Sequence, residues 1–292
     1  MFPIIPAASA ADSGNQEGIF ACGNSGGRVG MSNLVSNAGV IASDVARVGT
    51  ARNGLTGCEY GGDKGIFGYG DAPPDVSMTN LVSNTGVIAT DTTGVGTARS
   101  SLGACDYGGD KGIFGYGYLA KSMTNLVSNV GVVSTDVTGV GTARAYPGAC
   151  EYGDDKGIFG YGCTGPYAYV SATNLVSNVG VVSTDVAGVG TARQALIACS
   201  FGGDKGIFGF GHTAGVLSMT NLVSNAGVVA TDVAGVGTAR ASLAATQYGG
   251  DKGIFSFGGP SVTNLVSNIG VVASDVTQVG TTRSGLGGCS FN

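Results

Sequence analysis

Along most of the chain, short runs of alternating apolar and small or polar residues are separated by glycine-rich breaks, and the same runs return in the same order. Leu55-Thr-Gly-Cys-Glu-Tyr60 is a short, partly apolar segment, and Gly61-Gly-Asp-Lys64 reads as a turn. Gly65-Ile-Phe-Gly-Tyr-Gly70 then alternates with period two. Asn80-Leu-Val-Ser83 and Val87-Ile-Ala-Thr90 flank Asn84-Thr-Gly86, a hairpin turn with glycine where positive φ costs little. Asp91-Thr-Thr-Gly-Val-Gly-Thr-Ala-Arg99 leads into the next unit. The pattern predicts four short strands, a to d, joined as a meander, and no window carries a sustained helical period.

The unit recurs with its own ruler. Phe20, Phe67, Phe114, Phe159, Phe208 and Phe255 lie 47, 47, 45, 49 and 47 residues apart. Between them lie variable segments 24–32, 71–79, 118–124, 163–173 and 212–220, of 9, 9, 7, 11 and 9 residues, which leaves a constant 38. All length variation therefore sits between strands b and c. A period of this size indicates a solenoid, a propeller or an array. In strand b, Phe67 and Tyr69 are expected on one face and Ile66, Gly68 and Gly70 on the other, so that an aromatic face presses on a glycine-bare one. Both faces of each sheet are then suited to burial, as radially packed blades require. Glu17-Gly-Ile-Phe-Ala-Cys-Gly23 is a strand b without its strand a, and Leu286-Gly-Gly-Cys-Ser-Phe291 is a strand a without its strand b. Together they complete a sixth sheet. The expected fold is all-β: a six-bladed β-propeller over residues 17–292, four antiparallel strands per blade, closed by the C-terminal strand completing blade 1. Residues 1–16 form an N-terminal arm.

Composition narrows the function. The formal net charge is −5, 11% of residues are charged, and Lys and Arg do not cluster, so nucleic acid is not expected as a partner. No apolar run approaches the ~20 residues that span a bilayer, so membrane insertion is not expected. The first ten residues lack a basic start and carry two prolines, which argues against a signal peptide. Phe2, Ile4 and Ile5 have little reason to sit in water; they either pack on their own domain or dock on a neighbour. Five of the seven cysteines, Cys58, Cys105, Cys150, Cys199 and Cys289, share one repeat position, which Thr246 fills in the sixth unit. Successive units lie about 10 Å apart, too far for a disulfide, so these are expected to be reduced residues used for their size. Cys22 and Cys163 fall elsewhere and are candidate free thiols. No spacing suggests zinc.

The strictly repeated polar residues read as structural. Asp44, Asp91, Asp136, Asp185, Asp232 and Asp275 are each followed eight residues later by an arginine, among them Arg99, Arg144 and Arg193. A ring of six aspartates could hold a cation, but repetition in every unit favours a turn or arginine partner, because a binding site normally breaks symmetry. The Asp-Lys pairs of the a–b turn read as solvated charges. The Gly-x-Gly runs open no helix, which argues against a nucleotide site. His212 is the only histidine, and no nucleophile elbow occurs. A non-enzymatic protein without cofactor or metal is expected. The variable loops are the functional lead: in a meander, b–c and d–a connections share one rim. Tyr118, Lys121, Tyr167, Tyr169 and His212 are the candidate contact residues, with neutral drift as the alternative.

Arg52, Arg99, Arg144, Arg193, Arg240 and Arg283 before strand a, with the aromatic, glycine-ended strand Gly-Ile-Phe-Gly-Tyr-Gly, resemble the blades of kelch-type propellers over residues 17–292. The double glycine precedes strand b rather than ending it, and tryptophan is absent, so the resemblance is kelch-like. The wording Asp-Lys-Gly-Ile-Phe-Gly-Tyr-Gly, Thr-Asn-Leu-Val-Ser-Asn and Gly-Val-Gly-Thr-Ala-Arg is similar to tandem repeats in predicted proteins of bacteriophages and aquatic microbes, some of them virion or tail components. That resemblance implies a structural protein of a virion or extracellular assembly, joined to other proteins through its arm or attached to a host surface. A glycan-binding propeller, with Tyr167 and Tyr169 stacking on sugars, is the alternative.

Overall fold

The computed structural model describes residues 17–46 and 49–291. The arm residues Phe2, Ile4 and Ile5 lie outside the described residues. Wherever a short alternating run ends at a glycine turn, a strand ends too. The first repeat supplies β1 (Glu17–Ala21), β2 (Met31–Val35) and the two-residue β3 (Val45–Ala46). Three strands each come from the next four: β4 (Thr56–Tyr60), β5 (Lys64–Gly68) and β6 (Thr79–Val82); β7 (Gly103–Tyr107), β8 (Lys111–Gly117) and β9 (Lys121–Val127); β10 (Gly148–Tyr152), β11 (Lys156–Cys163) and β12 (Tyr169–Val176); β13 (Ile197–Phe201), β14 (Lys205–Gly209) and β15 (Thr220–Val223). The last run is β16 (Ala244–Tyr248), β17 (Lys252–Ser256), β18 (Val262–Val266), β19 (Val276–Thr277) and β20 (Gly287–Phe291).

Among the described residues these strands make small antiparallel sheets of three or four strands, without an α-helix, in a propeller-like arrangement. The first strands touch in succession, β4 with β7, β7 with β10, β10 with β13 and β13 with β16. β20 touches both β16 and β4, and it pairs with β1, Ile19 opposite Cys289 and Phe20 opposite Gly288. The two orphan strands read from the sequence thus share one sheet.

Two expectations need correction. The fourth strand is a two-residue strand in two sheets and isolated bridges in the other four, as where Val82 meets Ile88 and Thr79 meets Thr92. Between those bridges a side chain replaces the ladder: the Asn80 amide donates to Ala89 O (3.0 Å) and to Asp91 Oδ1 (2.8 Å). Asn33, Asn125, Asn174, Asn221 and Asn264 do the same in their own units. The second correction concerns faces. Phe67 packs back on the preceding sheet, with Ile19, Ala21 and Phe291, whereas Tyr69 packs forward with Ile66 on Phe114. Tyr69 has φ +63°, and the register of the equivalent strands slips at this point, so a β-bulge turns the tyrosine to the other face.

The bulge builds the contact between neighbouring sheets. Tyr69 meets Phe114 edge-on with centroids 5.2 Å apart, and Tyr116–Phe159, Tyr161–Phe208 and Phe210–Phe255 repeat the geometry. Glycine makes room for each phenylalanine: a Cβ on Gly68 would stand 2.7 Å from the Phe114 ring, and one on Gly115 2.8 Å from Phe159. The cysteines have a matching role. A Cβ on Gly112 would lie 2.4 Å from Cys58 Sγ, and Thr246 takes the same place against Gly18. Cys58, Cys105, Cys150, Cys163, Cys199 and Cys289 are free, buried thiols, so size does set the repeated position.

Arginine rivets the sheets. Arg99 Nε donates to Tyr116 O (2.8 Å), Nη1 to Thr97 O (3.0 Å) and Nη2 to Asn125 Oδ1 (2.7 Å). Its guanidinium lies 4.4 Å over the Tyr69 ring of the preceding sheet. Its carboxylate neighbour is Asp136 (3.8 Å) and not the aspartate eight residues before it. Arg52 likewise faces Asp91, Arg144 faces Asp185 and Arg193 faces Asp232, so each ion pair joins the opening and the end of one unit. Arg283 reaches across the chain's length to Cys22 O (2.8 Å) and Asp44 (3.5 Å).

Arg99→Met is expected to lower unfolding free energy by roughly 3–5 kcal/mol, because Asn125, Asp136 and the carbonyls of Tyr116 and Thr97 lose a buried partner. Gly112→Ala should cost about 1–3 kcal/mol through overpacking on Cys58. The double variant with Cys58→Ala should recover part of that loss in urea melts. Strict additivity of the two substitutions would remove the packing account.

Candidate functional site

Three neighbouring variable segments converge on one rim. Tyr118, Tyr167, Tyr169 and His212 line a single groove of about 570 Å³, together with Tyr146 and Gln194 from the connections that precede strands β10 and β13. Lys121 stands outside it, in β9, paired with Gly117 and bridged to Arg144. The groove exists because the chain is longest there. β11 and β12 continue past the bulge at Tyr161, pairing Gly162 with Val170 and Cys163 with Tyr169, and so lift residues 164–168 above their neighbours.

Its walls are fixed. The Tyr169 hydroxyl donates to Thr213 O (2.8 Å) in the next variable segment, and its ring meets His212 edge-on at 6.4 Å. Tyr118 meets Tyr146 edge-on at 6.3 Å. Burial raises the Tyr146 phenol above its usual pKa, partly offset by a hydrogen bond with Ser101. Tyr146 (φ +56°), Tyr167 (φ +61°) and Leu119 (φ +61°) all hold left-handed backbone, a conformation that side-chain-bearing residues rarely adopt. Burial also raises the Cys163 thiol, which lines the same groove, despite backbone hydrogen bonds that lower it. A thiol with that bias is a poor nucleophile at neutral pH.

Tyr146 and Gln194 escaped notice in the sequence because they sit in a connection of constant length, where only the change of residue type between units marks them: Ser101, Tyr146, Ala195 and Ser242 at one position, and Ser100, Ala145, Gln194 and Ala241 at the one before it. A second group also escaped it. Glu59, Asp106 and Glu151 occupy one repeat position in the first strands β4, β7 and β10, where β13, β16 and β20 have Ser200, Gln247 and Ser290. All six line one narrow cavity between the first strands, beneath Gly57, Ala104, Ala149, Ala198, Ala245 and Gly288. The signal was present: this is the one polar position of strand a that changes charge from unit to unit.

Within the cavity, the Glu59 N–H donates to Asp106 Oδ1 (2.6 Å) and Ser290 Oγ to Glu59 Oε2 (3.0 Å). Desolvation raises all three carboxyls, most firmly Asp106, and neighbouring negative charges add to it at each, opposed at Glu59 by the Ser290 hydrogen bond; Glu151 is pushed up to about 9. The ring aspartates behave oppositely. Burial alone would raise Asp136, but hydrogen bonds from Thr97 and Asn125 and the Arg99 charge outweigh it and hold the carboxyl below its ordinary value. Among the described residues, no group of His, Cys, Asp or Glu has the arrangement of a metal site, and no helix is long and apolar enough to cross a membrane.

No protein-family model matches the chain, and no curated protein matches it.

The carboxyl shifts set a pH dependence. Groups raised in the folded state contribute stability below their ordinary pKa of about 4 and lose it as pH rises through the folded value. Asp136 and its equivalents do the reverse, losing their contribution as pH falls below about 4. Stability measured by urea melts is expected to fall between pH 5 and pH 9. Glu151→Gln should flatten that slope, gaining more at pH 8 than at pH 5. An unchanged slope would mean that these carboxyls titrate as in the unfolded chain.

Proposed function

We propose that the chain is a kelch-like, six-bladed β-propeller, closed by β20, that works as a non-enzymatic binding module of an extracellular or virion assembly. The pairing of β20 with β1 and the unbroken succession of first-strand contacts support closure. The observation that carries the binding reading is the groove on the variable rim. It gathers aromatic side chains from three units, it breaks the repeat, and its volume falls within the roughly 300–1,000 Å³ of small-ligand sites. The thiol in the groove is held protonated by its surroundings, and the remaining polar groups there do not form a nucleophile–base pair, which supports binding rather than turnover. Attachment to a partner through residues 1–16 belongs to the same reading and stands on the apolar residues Phe2, Ile4 and Ile5.

Closure is tested by Ile19→Cys, whose new side chain stands opposite Cys289 on the same face. Under oxidising conditions this variant is expected to form an intramolecular disulfide detectable by mass spectrometry, and persistent free thiols in folded protein would argue against a shared terminal sheet. Binding is tested by coating beads with the wild-type chain or with the Tyr118→Ala/Tyr167→Ala variant and scoring adhesion to microbial cells. Adhesion by the wild type with loss of roughly 90% in the variant, two lost aromatic contacts at about 0.5–1.5 kcal/mol each, is the expected outcome. Equal adhesion by both would remove the groove from the function.

A further inference from the structure

We infer that the rim groove binds a neutral saccharide, a ligand class that rests on the groove's being the binding site. Four independent features of the groove converge on it. Among the residues that line the groove there is no Lys, Arg, Asp or Glu, so no side chain there offers a salt bridge to a carboxylate, sulfate, phosphate or ammonium group. The aromatic surface is open: Tyr167 is 86% exposed and Tyr118 47% exposed, although exposed rings gain nothing from water. Both project from backbone that carries left-handed residues, at Tyr167 itself and at Leu119 and Ala120 beside Tyr118. Strain of that kind persists only where the surroundings enforce it, and it gathers at binding sites.

The fourth feature selects the ligand. The Gln194 amide, the His212 imidazole and the Tyr118 and Tyr167 hydroxyls have no hydrogen-bond partner among the described residues, whereas Tyr169 is already committed to Thr213. Each of these free groups is at once donor and acceptor. Hydroxyl groups have the same dual character, and a pyranose presents them around its edge while offering a C–H face to an aromatic ring. A peptide ligand presents separate donors and acceptors along its backbone, which suits an open strand edge or a charged partner better. Nucleic acids and anionic membranes require cations that the groove lacks. The geometry therefore places sugar rings against Tyr118 and Tyr167, with hydroxyls turned to Gln194 and His212.

The test uses the full chain on an array of neutral, sialylated and sulfated oligosaccharides, with a random peptide library presented in parallel. Binding to at least one neutral oligosaccharide is expected, weakened roughly tenfold by Tyr167→Ala and by Gln194→Leu, with little dependence on salt. Both substitutions lie at the surface or in a connection, and a thermal melt of each confirms the fold. Binding confined to sialylated or sulfated glycans would overturn the inference, as would neutral-glycan binding that Tyr167→Ala and Gln194→Leu both leave intact. If no glycan binds but peptides are selected and then lost with Tyr167→Ala, the saccharide is wrong and the groove remains the binding site. If neither probe binds, both readings fall.

Discussion

Six guanidinium groups, almost wholly removed from water, hold the sheets at fixed positions. A buried charge is tolerated only when its donors are satisfied and a counter-charge is near. Arg99 meets that demand with partners from separate stretches of chain: the carbonyl of the bulged Tyr116, the side chain of Asn125 in β9, the carboxylate of Asp136 and the ring of Tyr69 in the preceding sheet. One side chain thus ties the second strand, the third strand, the returning ribbon and the neighbouring sheet to a single point. An apolar core of the same volume can be as stable as a buried ion pair. What the arginine adds is uniqueness, because its fork accepts one arrangement of these groups, and lysine would not reproduce it.

The repeat, the strand positions a to c, the placement of loop variation and the pairing of the two chain ends were legible in the sequence, because each follows from spacing alone. The strict repetition of Asp91, Arg99, Asp136, Arg144, Asp185 and Arg193 was visible too. Partner identity was not. The aspartate eight residues ahead of each arginine is near in sequence, yet the ion pair reaches instead across a whole unit, from Arg99 to Asp136. Period-two reasoning also failed at Tyr69, since one residue with positive φ reverses every face assignment beyond it. A tyrosine in that conformation gives no sign of itself in a run that otherwise alternates. The fourth strand was over-read for a related reason: Val87-Ile-Ala-Thr90 has strand composition, but the Asn80 amide occupies Ala89 O, an acceptor a continuing ladder would use, and holds the Asp91 carboxylate beside it.

Repetition and its breakage divide the molecule by role. Where six units agree, as at Gly18, Gly65, Gly112, Gly157, Gly206 and Gly253, each set against the cysteine or threonine of the preceding sheet, a substitution would strike two sheets at once. Where they disagree, side chains are free to acquire different properties. Two such places emerge. One is the cavity between the first strands, with carboxylates on three neighbouring sheets and neutral groups on the other three. Desolvation disfavours the charged forms there, and like charges oppose one another, so ionisation in this cavity works against folding. The other is the rim, where uncharged and aromatic residues gather and only some of the polar tips, such as the Tyr169 hydroxyl, are paired.

The rim groove depends on the same device that sets the core. The bulge at Tyr161 sends the ring forward onto Phe208 and under Arg193, completing the contact between two sheets. Past it, β11 and β12 resume pairing at Gly162 and Cys163 in a shifted register. In sheets with shorter variable segments the ladder stops at the bulge or one pair beyond it. With eleven residues in segment 163–173, the ladder continues far enough to raise Tyr167 and Tyr169 beside the next unit's His212. The longest insertion therefore becomes a supported wall and not a loose loop, anchored below by an arginine rivet and braced laterally by the Tyr169–Thr213 hydrogen bond. Function placed on a loop needs a rigid base, and here the base is the inter-sheet contact itself.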